Sequence, residues 1–182
     1  MIEIRSFLRD ETNELHRELD AVVGVFSDRA AYAGFLQGTF RHRAPVEAAL
    51  LNADAARISS WRPRQLVPEL KADLADLALP LPAAEPFDLS NDIAGFLGAA
   101  YVLEGSALGA RVLVKGVGDL GFGPECGARY LSVQVSSLDS WRLLLVALEG
   151  LDRRAWDAAS QSAKAVFLHA IQAFTSEELA PA

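Results

Sequence analysis

The chain is poor in residues that build covalent or metal-held scaffolds: of 182 residues one is cysteine, three are histidine and one is methionine. A lone Cys126 excludes an internal disulfide, and no Cys–His set has zinc-ligand spacing. G-x-S-x-G and Walker-type loops are also missing, which removes the common hydrolase and nucleotide-binding signatures. Net charge is -7, and no basic stripe runs along the chain, so a nucleic-acid partner is not expected. The two short basic runs, FRHRAP and SSWRPR, read as a solvated helix end and a loop. The longest apolar region, Ile93 to Val114, is broken by Glu104 and Arg111, so no membrane span is expected. The first residues, MIEIRSFLRDE, lack a basic-then-apolar leader, and the expected location is cytoplasmic.

Strand-like alternation is missing too, whereas hydrophobic content reaches 51% and its period is helical almost throughout. Residues 3–24 place Ile4, Phe7, Leu8, Leu15, Leu19 and Val22 at three- and four-residue steps. A second helix is predicted from Asp28 to about Leu51 with a bend at Pro45. A shorter one is predicted between Ser60 or Pro63 and Leu77, and after the Pro-rich stretch LALPLPAAEPFD a long helix capped by Ser90 runs to about Gly116. Further helices are expected from about Pro124, from near Ser137, and from Asp152 to about Leu179. These features predict an all-α fold, a single helical bundle over 1–182.

Two stretches stand out. In YVLEGSALGARVL, Gly105 and Gly109 sit inside an apolar helix, where each glycine costs about 1 kcal/mol against alanine. Either a tight helix crossing or the close approach of a ligand explains them. In ETNELHRELD, His16 lies beside the Leu15–Leu19 stripe with Asp20 four residues on. That spacing fits an ordinary surface pair; it also fits a carboxylate that takes the Nδ1 proton and leaves Nε2 free for a metal. His42 and His169 offer no such setting: arginine neighbours favour a surface position for the first, and the second points away from its helix's apolar stripe.

Taken in order, LRDETNELHRELD, YVLEGSALGARVL and SAKAVFLHAIQAF resemble the haem oxygenase family, in particular its bacterial biliverdin-producing branch, over nearly the whole chain. The G-S-x-L-G-A segment, Gly105 to Ala110, is the most specific part. The resemblance implies a bundle in which a proximal helix supplies His16 to haem iron, with Asp20 behind it, and a distal helix crosses the other face at Gly105, Ser106 and Gly109. It implies propionate contacts from Arg9, Tyr101 and Arg129, and pocket contacts from Leu108, Phe167 and Phe174. It further implies oxidative opening of haem to biliverdin with release of CO and Fe2+, drawing on O2 and on electrons from a ferredoxin, a flavodoxin-type reductase or ascorbate. A photoreceptor that accepts biliverdin is one candidate consumer. The segment SVQVSSLDSW departs from the family, with Gln134 and Val135 where an aromatic–glycine turn is usual. A haem sensor or carrier without catalysis is therefore the alternative.

Overall fold

The structure is a computed structural model that describes residues 3–53, 61–136 and 138–176. Among these residues there are seven α-helices and no strand: α1 (Ile4–Val23), α2 (Arg29–Asn52), α3 (Val67–Asp76), α4 (Ile93–Asp119), α5 (Arg129–Ser136), α6 (Asp139–Glu149) and α7 (Trp156–Thr175). A 3-10 turn, Arg153–Ala155, leads into α7. The all-α expectation holds.

Two helix starts follow local side-chain capping. Asp28 accepts from Ala31 N at 2.8 Å to open α2, which then continues through Pro45. Asp92, not Ser90, caps α4, accepting from Gly95 N at 2.8 Å, while the Ser90 hydroxyl donates to Asp92. Asp152 caps the 3-10 turn through Arg154 N rather than α7 itself. Pro68 falls in the first turn of α3, where its missing N–H costs nothing. The predicted start at Pro63 therefore moves inward to Val67. The expected boundaries at Ser60, Ser137 and Leu179 lie outside the described residues.

Two helices receive caps from elsewhere in the fold. The buried Glu47 carboxylate accepts from Leu66 N (2.9 Å) and Val67 N (3.3 Å) at the start of α3. Buried Asp73 accepts from Arg129 N and Tyr130 N, both at 2.9 Å, at the start of α5. Ahead of α5, Gly127 adopts φ +77, and a Cβ there would meet the Phe122 ring at 2.5 Å. This turn delays the helix expected from Pro124 until Arg129.

α4 is the central element, packed on α7, α6, α5 and α2, while α1 lies along α7 and the edge of α6. At Gly98 the α4 and α7 backbones nearly touch, since a Cβ there would sit 2.0 Å from Ala159 O. One core cluster joins Ile4 and Leu8 of α1 to Leu97 and Leu103 of α4, Trp141 and Leu144 of α6, and Val166 and Phe167 of α7. A second gathers Tyr32 and Leu36 of α2, Leu70 and Leu74 of α3, and Leu131 of α5 around the C-terminal half of α4. By length and hydropathy α4 could cross a membrane, but 67% of its most apolar window is buried inside the protein.

Candidate functional site

Four buried or half-buried positions of α1 (Ile4, Leu8, Leu15, Leu19) fix its inner face on α7, and His16 stands just beside that face. Its imidazole is 61% exposed, with Nδ1 3.0 Å from Asp20 Oδ2. Because a carboxylate only accepts, Nδ1 carries a hydrogen, and in the neutral ring, the form that binds a metal, Nε2 then holds the lone pair. On the protein side the ring meets the buried Phe167 of α7 edge-on, with centroids 5.7 Å apart. Three predicted residues from two helices thus come together: a rotationally fixed imidazole with one free nitrogen and an apolar wall.

Further along α1 toward its N-terminus, Arg9 is exposed and pairs with its neighbour Asp10 at 3.2 Å. Its charge, with that of Arg5 one turn earlier, reaches the Tyr101 phenol of α4. Burial pushes that phenol's pKa up; Arg5 and Arg9 pull it down, and Asp10 pushes it up. Tyr101 packs on Trp141 with ring centroids 5.5 Å apart. Arg5 is thus part of this polar end, and nothing in the sequence spacing had singled it out.

The distal candidates occupy one and a half turns of α4. A Cβ on Gly105 would meet the Trp141 ring at 3.4 Å, an ordinary contact, and one on Gly109 would meet nothing within 4 Å. The tight helix crossing weighed for this pair is found instead at Gly98, so protein packing does not account for Gly109. Leu108 is 41% exposed and Val112, one turn on, 72%. Ser106 Oγ donates to Leu103 O at 2.7 Å and accepts from Gln134 Nε2 at 2.6 Å.

Arg129 does not join this group. Its guanidinium is held by Asp73 (3.4 Å), by Asp76 and by Glu125 O (2.5 Å) at the α3–α5 junction, so it is committed where a propionate contact was expected. Phe174 likewise packs on Phe35 in the second core, away from His16 and Phe167.

The basic run around FRHRAP is not a solvated helix end. Arg43 is 1% exposed, donates to Glu47 at 3.0 Å and lies over the Tyr130 ring. Arg64 of the second run reaches the buried Glu104 at 3.0 Å, beside Gly105. Arg43 Nη2 and Thr39 Oγ1, one turn apart on α2, have no partner among the described residues. His42, expected on the surface, is part-buried, with Nδ1 3.1 Å from His169 Nδ1. Charge and histidine in the sequence read as surface, and only their partners in other helices explain their burial. A separate pocket of about 370 Å3, lined by Arg29, Ala33, Leu79 and Phe122 among others, contains none of the predicted site residues.

No family model matches the chain. It is similar to the heme oxygenase PigA of Pseudomonas aeruginosa, at 30% identity over 148 residues covering 78% of this chain and 75% of that protein. It is also similar to a heme oxygenase of Xanthomonas campestris, at 33% identity over 116 residues covering 61% and 68%. Its fold matches that of the NO- and CO-bound heme oxygenase from Neisseria meningitidis with a TM-score of 0.76, over 99% of this chain and 96% of the other, at 22% identity. A fold shared nearly end to end, together with two relatives at this identity and coverage, establishes that the chain belongs to the haem oxygenase family.

Proposed function

We propose that this protein binds haem through His16 and opens the ring oxidatively to biliverdin, releasing CO and Fe2+ and consuming O2 and electrons from an external donor. A flat dicarboxylate tetrapyrrole needs a nitrogen ligand, apolar walls and a cationic end, and the residues described fit each need. His16 Nε2 is free and aimed by Asp20, and Phe167 supplies one wall. Leu108 and Val112 are exposed apolar side chains beside the open Gly109. Arg9 and Tyr101 would hold the carboxylates. When bound, haem supplies both the ring to be opened and the iron that activates dioxygen.

The protein's own part is positioning. Asp20 holds the imidazole in one tautomer and raises its basicity as a ligand. The bare stretch around Gly109 lets α4 lie close to the ring without a Cβ in the way. The observation that carries the reading is the free Nε2 of an imidazole fixed at 3.0 Å by Asp20, within a haem oxygenase chain.

One observation favours a non-catalytic haem carrier: the Ser106 hydroxyl already serves Leu103 and Gln134, which leaves it one lone pair to order water. Titrating haem into the purified protein and into His16→Ala, then adding ascorbate or a ferredoxin system in air, separates the two. The proposal expects a Soret band that depends on His16 and decays to the biliverdin spectrum. A stable Soret band after reduction indicates a carrier, and no stoichiometric band in the wild type removes the haem reading. Ferredoxin, a flavodoxin-type reductase and ascorbate are the donors to compare, and a biliverdin-accepting photoreceptor is the proposed consumer.

A further inference from the structure

The residue at which this chain departs from its family's usual turn, Gln134, is 2% exposed and lies inside α5 against α4. Its amide Nε2 donates to Ser106 Oγ at 2.6 Å, and that hydroxyl donates in turn to Leu103 O at 2.7 Å. An amide nitrogen can only donate, so the direction of both bonds is fixed: Gln134 to Ser106 to the α4 backbone. Ser106 sits between Gly105 and Gly109, two glycines that weaken α4 at this turn, and a Cβ at Gly109 would meet no protein atom within 4 Å. A segment so built needs a tether from outside the helix.

We propose that Gln134 is a positioning residue, which by holding the Ser106 hydroxyl fixes the Gly105–Gly109 turn of α4 and the direction of the single Ser106 lone pair left for a ligand. This rests on the proposed haem site for its functional meaning, while the tether itself stands on the two hydrogen bonds. The buried amide of Gln134 would be orphaned by loss of Ser106, so the two residues act as a unit. A glutamate at 134 reverses the chemistry: an ionised carboxylate cannot donate, so the hydroxyl must release Leu103 and turn toward position 134. It also brings a negative charge beside the distal turn.

Two measurements test this. In the haem-free protein, Gln134→Leu is expected to speed hydrogen exchange of amides 107–110 by about tenfold with α1 and α7 unchanged. Ser106→Ala should do the same, and the double variant should add nothing. In the haem-loaded protein, Gln134→Glu is expected to raise the pH at which the ferric spectrum passes from its acid to its alkaline form by about half a unit or more. Gln134→Met replaces Gln134→Leu if the latter fails to fold. Exchange at 107–110 equal to wild type, or raised evenly over all helices, overturns the tether, and an unshifted spectral midpoint in Gln134→Glu overturns its role at the haem. Should the wild type bind no haem, the proposed function falls and the exchange measurement alone decides the tether.

Discussion

At the scale of single residues, two ion pairs four residues apart behave oppositely. His16 and Asp20 are 61% and 68% exposed, so an ordinary pair of this kind stabilises the helix by a few tenths of a kcal/mol. Asp20→Ala is therefore expected to leave the denaturation midpoint within error of wild type while weakening haem affinity by about tenfold or more, read from Soret titration. A loss of stability with unchanged affinity would assign the pair to structure alone. Arg43 and Glu47 are 1% and 4% exposed at the side chain. Arg43→Met leaves the Glu47 carboxylate buried with only the two α3 amides, and is expected to cost about 3 kcal/mol in chemical denaturation. The spacing of both pairs is visible in the sequence, but their worth is not. The His16–Asp20 pair was legible because both members lie on one helix beside its apolar stripe, whereas Arg43 also faces Tyr130 and Glu104, 87 and 61 positions away.

At the scale of elements, α4 divides its small residues between two jobs that composition cannot separate. Gly98 lies where the Ala159 carbonyl would be 2.0 Å from a Cβ, and that carbonyl belongs to helix backbone that cannot step aside. Gly98→Ala is expected to cost about 3 kcal/mol, because the α4–α7 crossing must widen. Gly109 faces open space, so Gly109→Ala is expected to stabilise the haem-free protein by up to about 1 kcal/mol while raising the haem Kd. Thermal melts with and without haem check both, and a destabilised haem-free Gly109→Ala would return this glycine to packing. The helical period made α4 legible, and the G-S-x-L-G-A segment marks the turn at which Gly109 is left open. The glycine that the fold itself requires went unremarked because nothing in the sequence shows which face of α4 meets α7. Helix starts at α3 and α5 were misplaced by several residues for a related reason: their caps, Glu47 and Asp73, come from other helices.

At the scale of the whole molecule, α2, α7 and the Pro-rich connection meet at two histidines. His169 Nε2 lies 3.3 Å from the Glu85 carbonyl, which only accepts, so in the neutral pair Nε2 carries the hydrogen and Nδ1 accepts from His42 Nδ1. With Nδ1 atoms 3.1 Å apart and ring centroids 5.4 Å apart, the two nitrogens point at each other. The proton that His42 would gain goes to its Nε2, where it would place a charge inside the protein beside Arg43. Burial, then His169, then the Arg43 charge hold the His42 pKa down at about 3, against 6.5 for an ordinary histidine. The unfolded chain therefore binds one more proton than the folded one between those values. Stability is full above pH 6.5 and falls as the pH drops toward 3, by at most about 1.4 kcal/mol per unit. Between pH 7 and 5 most carboxylates are still ionised in both states, so this histidine dominates the slope. Urea denaturation at pH 7, 6 and 5 is expected to show that loss in the wild type and a flattened profile in His42→Phe, whose ring fills similar space and takes no proton. An equal slope in both proteins would mean that the protonation lost on folding belongs to another group, and the clasp of α2 on α7 would then hold without regard to the His42 proton.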